Sequence, residues 1–287
     1  MRKFNLIFLL SCLLSMISCD QEQSDSTFST LDADFKLRKI NIAENNPLKP
    51  HKIDRANPNE KLQPQKGQLQ PNKKDSLEYN PIEIKKAHTK LSESVSKYKS
   101  ELINEKNEFY LQSNLLNIPF KDIDSRFISP EEQSNIYLSL GYNIEVSKKL
   151  KVLLGKLNLK KDFSFGSNND IEIANNLLNL LWQIGSYTKK TIYVYLDSDN
   201  LNQIKNRKTV TEINEIYNSF ENFIQEKNKA IKIIQDQITS LALKKDKQAI
   251  LDELKRTVGL NGSNGADIQK ASYSIVTMAD TIKAFLQ

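Results

Sequence analysis

The chain has 287 residues, of which 39% are hydrophobic and 26% are charged, and its formal net charge is +6. A chain of this length can bury a substantial core. Its 8 glycines and 8 prolines are too few for a turn-rich all-β protein or a collagen-like chain. Its 2 cysteines and 2 histidines offer few ligands for a zinc, haem or thiol site. The composition therefore argues against a metal, a cofactor and an enzymatic function.

The first residues, 1–18, have the features of a bacterial signal peptide. Arg2 and Lys3 precede an uncharged run, Leu6–Ser18, which is shorter than the ~20 residues of a membrane span. The chain turns polar at Cys19, as at lipoprotein cleavage sites, where the cysteine is acylated. We therefore expect Cys19 to carry the fatty acids that anchor the mature chain, since two or more acyl chains hold a protein stably at a membrane.

Two alternatives stay open for this segment. Cys12 matches the lipoprotein cleavage pattern better, because Met16 stands where leucine is commonest upstream of Cys19. The hydrophobic run before Cys12 would be only about eight residues long, so Cys19 is preferred. An ordinary signal peptide would instead leave Cys19 as a free thiol.

Residues 19–80 are predicted to be a disordered tether between the lipid anchor and the rest of the chain. Six of the eight prolines lie between Pro47 and Pro81. Residues 20–80 contain ten basic and ten acidic side chains, and such a polar, balanced composition cannot bury enough apolar surface to form a core. The stretch 35–42 carries four bulky apolar side chains, and it is either plain tether or a docking segment.

Residues 81–287 carry 29 basic and 25 acidic side chains, hence a net charge of +4. They are predicted to form an all-α domain, a compact bundle of about six or seven helices with one long central helix. The Asn-Pro pair at 80–81 and the Ser-Pro pair at 129–130 are typical helix starts. Glu132 would complete a capping box, and Gly141 is suited to end that helix.

Apolar residues at three- and four-residue spacing predict the individual helices. The stripe at 84–109 includes His88, and a histidine in such a stripe is more often packed than a ligand. Residues 171–196 form the most apolar segment, which residues 168–170 cap, and they are expected to form the central helix, with Trp182 as a core anchor. The longest stripe, 213–241, predicts a helix of about 35 residues, or ~50 Å. Residues 191–196 (TIYVYL) favour a strand in isolation, but the sequence offers no second strand, so we predict a helix.

The last predicted helix, 266–285, places Ile275, Met278, Ile282 and Phe285 on one face. If these side chains pack inward, they close the bundle and the chain is monomeric. If they are exposed, they form a partner or dimer face, because a contiguous apolar patch is rarely left in water. The monomer is the preferred interpretation.

The sequence contains no motif that would support catalysis. His51 lies in the tether and His88 in the first helix, so no Ser-His-Asp arrangement is expected. Residues 197–200 resemble the start of a calcium loop but lack its glycine and its final glutamate. Nucleic acid is not expected as a ligand of an exported protein. Five lysine doublets are interpreted as solvated helix faces, with weak attraction to polyanions as the alternative: 85–86, 148–149, 160–161, 189–190 and 244–245.

Three segments resemble a known family. SPEEQSNIYLSLGYN (129–143) and KKLKVLLGKLNLK (148–160) are similar to the core of the Borrelia paralogous outer-surface lipoproteins, the family that includes the complement regulator-acquiring surface protein. NEIYNSFENFIQEKNKAI (214–231) is similar to its long helix. The resemblance covers about residues 80–287 and implies a compact all-α domain displayed on the outer face of the cell outer membrane. Some members bind factor H, and others bind terminal complement components, plasminogen or nothing known. No binding residue of the family can be matched to a position here.

The anchor, the tether and the resemblance together predict an outer-surface lipoprotein for host or vector interaction. Its expected partner is a complement regulator or another serum protein. The alternative is an adhesive or structural surface module that binds matrix or glycosaminoglycan through its lysines and has no complement role.

Overall fold

Every regular element of the described chain is helical, which confirms the predicted all-α class. The computed structural model describes residues 80–113, 116–160, 169–260 and 266–287. Within these ranges the nine α-helices are α1 Pro81–Gln112, α2 Phe120–Ile123, α3 Pro130–Ser139, α4 Ile144–Gly155, α5 Asn169–Lys189, α6 Ser198–Arg207, α7 Val210–Leu243, α8 Lys247–Thr257 and α9 Asp267–Ala284. A 3-10 helix spans Ser125–Ile128, and a π-helix, Lys190–Tyr195, continues α5. The predicted signal peptide 1–18, and the predicted tether up to residue 79, lie outside the described residues.

The helices begin where capping side chains satisfy the free N–H groups of a first turn. Asn80 accepts hydrogen bonds from the backbone N–H groups of Ile82 (3.1 Å) and Glu83 (3.4 Å), as predicted for the start of α1. Ser129 accepts from Glu132 N–H at 3.2 Å in the same way at α3. The predicted return contact of the Glu132 side chain is not formed, because that carboxylate contacts the indole N–H of Trp182 instead.

Two short helices, α2 and α6, were not predicted. In α6 only Leu201 and Ile204 are buried, which is too few to produce a visible apolar stripe. The helix is started by Asp197, whose carboxylate accepts a hydrogen bond from Asn200 N–H at 2.7 Å. The segment that resembled a calcium loop is therefore a helix start.

Helices α5 and α7 organise the core. Helix α5 packs against α3 and α9, and the 34-residue helix α7 packs against α9, α4 and α1. The length of α7 confirms the predicted helix of about 35 residues. The largest side chains that are fully buried are Phe127, Phe220 and Phe223. Trp182 lies at the edge of this core rather than at its centre, with the Arg126 guanidinium over its ring at 5.4 Å.

Helices α3 and α5 approach each other unusually closely at Gly185. A Cβ atom added there would lie 1.9 Å from the backbone carbonyl oxygen of Asn135. The absence of a side chain at Gly185 is therefore what allows the two backbones to touch.

The segment 191–196 is helical, as predicted, but in the wider π form. The N–H of Leu196 donates to the carbonyl of Thr191, five residues earlier, at 3.1 Å. Thr191 and Ile192 are buried, whereas Tyr193 and Val194 are 39% and 47% exposed. The wider turn therefore turns two bulky side chains outward while its other side stays in the core.

The C-terminal helix α9 closes the bundle. Ile275 and Ile282 are fully buried, and Met278 and Phe285 are partly buried against the same core. Helix α9 packs on α5 and α7 of its own chain. The four residues considered as a partner or dimer face are thus occupied within one chain, and the exposed arrangement of that face is not found. The monomeric state stays a prediction.

Candidate functional site

The candidate residues named from sequence do not come together in a site. Cys19 lies outside the described residues, and the α9 face belongs to the core. His88 is partly buried, its Nε2 lies 3.0 Å from the carbonyl oxygen of Leu201, and burial lowers its pKa. This matches the packed histidine that was predicted. No three His, Cys, Asp or Glu side chains are grouped to hold a metal ion in the ranges that the structure describes.

A different surface stands out, formed where α1 lies beside the π-helix. Bulky apolar side chains are exposed on both elements, and lysines lie among them. We call this surface the aromatic–lysine face and define it by Lys99, Ile103, Lys106, Tyr110, Lys189, Tyr193 and Val194. The exposed fractions are 48% for Ile103, 37% for Tyr110, 39% for Tyr193 and 47% for Val194.

Helix periodicity explains how α1 contributes to this face. Positions 99, 103, 106 and 110 recur at three- and four-residue steps, so they share one side of the helix. Leu102 and Phe109 point into the core. The amine of Lys99 lies 5.9 Å from the ring centre of Tyr193, which joins α1 to the π-helix across the face. The two elements therefore present one continuous surface.

The turn after α3 packs against the buried side of α1, beneath the aromatic–lysine face. Gly141 has φ +66° and Tyr142 has φ +49°, and the N–H of Tyr142 donates to the Tyr137 carbonyl at 2.9 Å. This is the glycine-ended helix stop predicted from the sequence. It holds the Tyr142 ring 5.7 Å from that of Phe109. Burial chiefly raises the pKa of Tyr142, and Tyr110 lies near enough to add to the effect.

Lys189 differs from an ordinary surface lysine because its amine is partly buried and hydrogen-bonded within the protein. Its amine donates a hydrogen bond to Ser134 Oγ at 3.3 Å, and that oxygen lies 3.1 Å from the Tyr142 hydroxyl. Burial chiefly, and after it the positive charge of Lys106, lowers the pKa of Lys189 to about 8. The lysine doublets were interpreted as solvated, and for Lys189 that interpretation is wrong.

The Ser134, Lys189 and Tyr142 side chains are arranged like a nucleophile with two proton carriers, but a substrate cannot reach the Ser134 and Tyr142 hydroxyls. Ser134 is 3% exposed and Tyr142 is 7% exposed. A nucleophile must contact the atom it attacks. The three groups therefore act as a buried hydrogen-bond network that positions Lys189.

A groove of about 500 Å³ between α7 and α9 is a second concave surface. Glu226, Asp236 and Asp267 line it. Their carboxylates already lie near cations, at 3.2 Å from Lys229, 3.2 Å from Lys232 and 3.8 Å from Arg256 respectively. Since its charges are largely paired, the groove shows no preference for a particular ligand.

Of the aromatic–lysine face, only Lys189 was considered from the sequence, as part of a doublet with weak attraction to polyanions as its alternative role. The available signal was the placement of Ile103 and Tyr110 outside the buried stripe of α1. An apolar residue at a polar position is common on protein surfaces, so this signal is weak by itself. The π-helix, which supplies the other half of the face, leaves no pattern in the sequence.

The comparisons with known proteins give no family. A scan against protein-family models finds no match, and a search of curated proteins finds no significant match. No helix in the described ranges combines the length and hydropathy of a bilayer-spanning segment.

Proposed function

We propose that this chain is an outer-surface lipoprotein that binds a protein of its host or vector. In this proposal the chain is a member of the Borrelia paralogous lipoprotein family, is held in the cell outer membrane by fatty acids on Cys19, and is spaced from it by the tether 19–80. The domain 81–287 binds the partner, for which a complement regulator or another serum protein is the leading candidate. The observation that carries the proposal is the exposed aromatic–lysine face.

The composition of this face supports protein binding. Tyrosine is enriched among the residues that dominate binding energy at protein interfaces, because it buries a large area and still hydrogen-bonds. Tyr110 and Tyr193 lie on adjacent elements, with Ile103 and Val194 beside them. The elements beneath them are tied to the core by Phe109 and Ile192, so the surface is preformed. A preformed surface loses less entropy on binding. The occluded Ser134 supports a non-catalytic role.

A matched pair of valine substitutions tests this function. Val194→Asp places a charge within the aromatic–lysine face, whereas Val152→Asp places one on α4, outside it, at a side chain that is 50% exposed instead of 47%. We expect Val194→Asp to weaken capture of the partner from serum at least tenfold, because a carboxylate would be desolvated at the contact. Quantitative pull-down with the full chain, followed by binding kinetics on the captured protein, measures the effect.

Val152→Asp is expected to bind as the parent does, and both variants should keep the parent's melting temperature within a few degrees. Equal binding by the parent and Val194→Asp would contradict the assignment of the face. Failure of the parent to retain any serum or vector protein would contradict the proposed function as a whole.

The lipid anchor has its own test. Cells that produce the chain should incorporate labelled palmitate into it, and Cys19→Ala should abolish the label and release the protein from the membrane fraction. Cys12→Ala is the matched control and should retain the label. A label that survives Cys19→Ala and disappears with Cys12→Ala would place the anchor at the alternative cysteine.

The alternative function, adhesion to a sulfated glycosaminoglycan, is favoured by the lysines of the same face. Lys99, Lys106 and Lys189 lie within it, and the domain 81–287 is net positive. Binding of that kind weakens steeply with salt. Retention on heparin that disappears at moderate ionic strength, without capture of any protein, would favour this alternative.

A further inference from the structure

We propose that the aromatic–lysine face binds a carboxylate-bearing segment of the partner protein, and that the acidic group lies between the amines of Lys106 and Lys189. This inference rests on the proposed function, because it names the chemistry of the partner at the same surface. The proposed ligand of the face is an acidic protein segment with apolar side chains on either side of the acid.

Lys106 and Lys189 lie near each other without a carboxylate between them. Lys189 reaches α1 through Ser134 and Tyr142, since the Tyr142 ring lies 5.7 Å from that of Phe109. Lys106 lies one helical turn before Phe109, and its positive charge contributes to the lowered pKa of Lys189, so two like charges lie near each other. Glu131 and Glu132 of α3 oppose this effect from the other side. Among the described residues, no carboxylate oxygen lies within 4.0 Å of either amine. A bound carboxylate would relieve the repulsion and provide the ion pair that both lysines lack.

Neither Glu131 nor Glu132 of α3 occupies the proposed position of the bound carboxylate. The Glu132 carboxylate contacts the indole N–H of Trp182 and accepts from the Asn135 side chain at 3.2 Å. It is therefore committed to the contact between α3 and α5. Glu131 is exposed at the first turn of α3, where a carboxylate is stabilised by the helix dipole.

The apolar residues decide which kind of polyanion fits. Ile103 and Tyr110 lie one helical turn before and after Lys106, and Tyr193 lies across the face from them. A partner segment in which acidic and apolar side chains alternate would pair the acid with the lysines and bury these three side chains. A sulfated sugar chain supplies the charge without apolar side chains to cover Ile103.

The protonation of Lys189 provides a distinctive signature. With a pKa of about 8 in the free protein, Lys189 is mostly charged at pH 7 and about nine-tenths neutral at pH 9. The partner's carboxylate binds the protonated form of Lys189, so at high pH binding requires Lys189 to take up a proton. The affinity should therefore fall about tenfold between pH 7 and pH 9. The groups facing Lys189 are Lys106 on α1, Glu131 and Glu132 on α3, and Tyr142 through Ser134. Burial raises the pKa of Tyr142 above this range.

The experiment uses the full chain and a blocked seven-residue peptide in which glutamate alternates with tyrosine and leucine. Amide chemical shifts should change mainly in residues 99–110 and 189–195. Lys189→Gln should weaken binding at least fivefold at pH 7. Lys189→Arg should bind at both pH values without the tenfold loss, because arginine stays charged. Lys148→Gln, on α4, is the matched control and should bind as the parent does.

Other results of these experiments would contradict the acidic-segment inference. A peptide that leaves the amides of the face unchanged, or that binds Lys189→Gln as well as the parent, overturns the acidic-segment inference. A heparin fragment that binds more tightly than the peptide and ignores Ile103→Ser also overturns it in favour of a saccharide. If serum-protein capture is lost in Val194→Asp but unaffected by Lys189→Gln, the proposed function stands and only the anion contact is wrong.

Discussion

Gly185→Ala is expected to destabilise the domain by about 3 kcal/mol, near the upper end of the usual cost of overpacking. The added Cβ would lie 1.9 Å from the carbonyl oxygen of Asn135 and 2.6 Å from its carbonyl carbon. Backbone atoms cannot rotate away as a side chain can, so α3 and α5 would have to move apart. Chemical denaturation of parent and variant measures the loss, which should appear as a lower midpoint at an unchanged slope.

Gly155 offers a matched control on the same fold. It is the last residue of α4, and a Cβ atom there would have no neighbour within 4 Å. Since alanine favours helix more than glycine does, Gly155→Ala should be neutral or stabilising by up to ~1 kcal/mol. Similar stabilities for the two variants would show that the close approach of α3 and α5 is wrong.

Ile275→Ala and Ile282→Ala are each expected to cost about 2–5 kcal/mol, since both side chains are fully buried in the core that α9 closes. Because the contacts lie within one chain, the melting temperature of parent and variants should not depend on protein concentration. Tyr273→Ala, at an exposed position of the same helix, should change stability by no more than ~0.5 kcal/mol.

Thermal unfolding at several protein concentrations, together with sedimentation, distinguishes the two arrangements of α9. A melting temperature that rises with concentration would mean that α9 packs against a second copy of the chain. A large loss in Tyr273→Ala, with little in Ile275→Ala, would mean that the two faces of the helix are exchanged.

The fold could be predicted from the sequence wherever a helix carries a long apolar stripe or a strong cap. The stripes at 84–109 and 213–241 lie within α1 and α7, and the caps at 80–81 and 129–130 begin α1 and α3. Prediction failed for α6, which is stabilised by a capping aspartate and only two buried side chains. Trp182 was expected to anchor the core, and it packs against the core only from the edge, because its indole N–H needs a polar partner and contacts Glu132 there.

The candidate binding surface could not be predicted, because it depends on contacts between distant segments. The pKa of Lys189 depends on its burial beside α3 and on Lys106, which is 83 residues away in the sequence. A lysine doublet shows none of this. Gly141 was correctly placed at the end of α3, but periodicity does not show that its turn holds Tyr142 against Ser134.

The π-helix at 190–195 makes the arrangement of the aromatic–lysine face depend on the number of residues in that turn. Its hydrogen bonds span one residue more than those of an α-helix, so deleting one residue there would allow ordinary α-helical pairing. Each residue of an α-helix turns about 100° from the last, and such a deletion would therefore rotate Tyr193 and Val194 relative to α1 while leaving α5 in place. Relatives that differ by a single insertion or deletion in this turn could then share the whole helical framework and still recognise different partners.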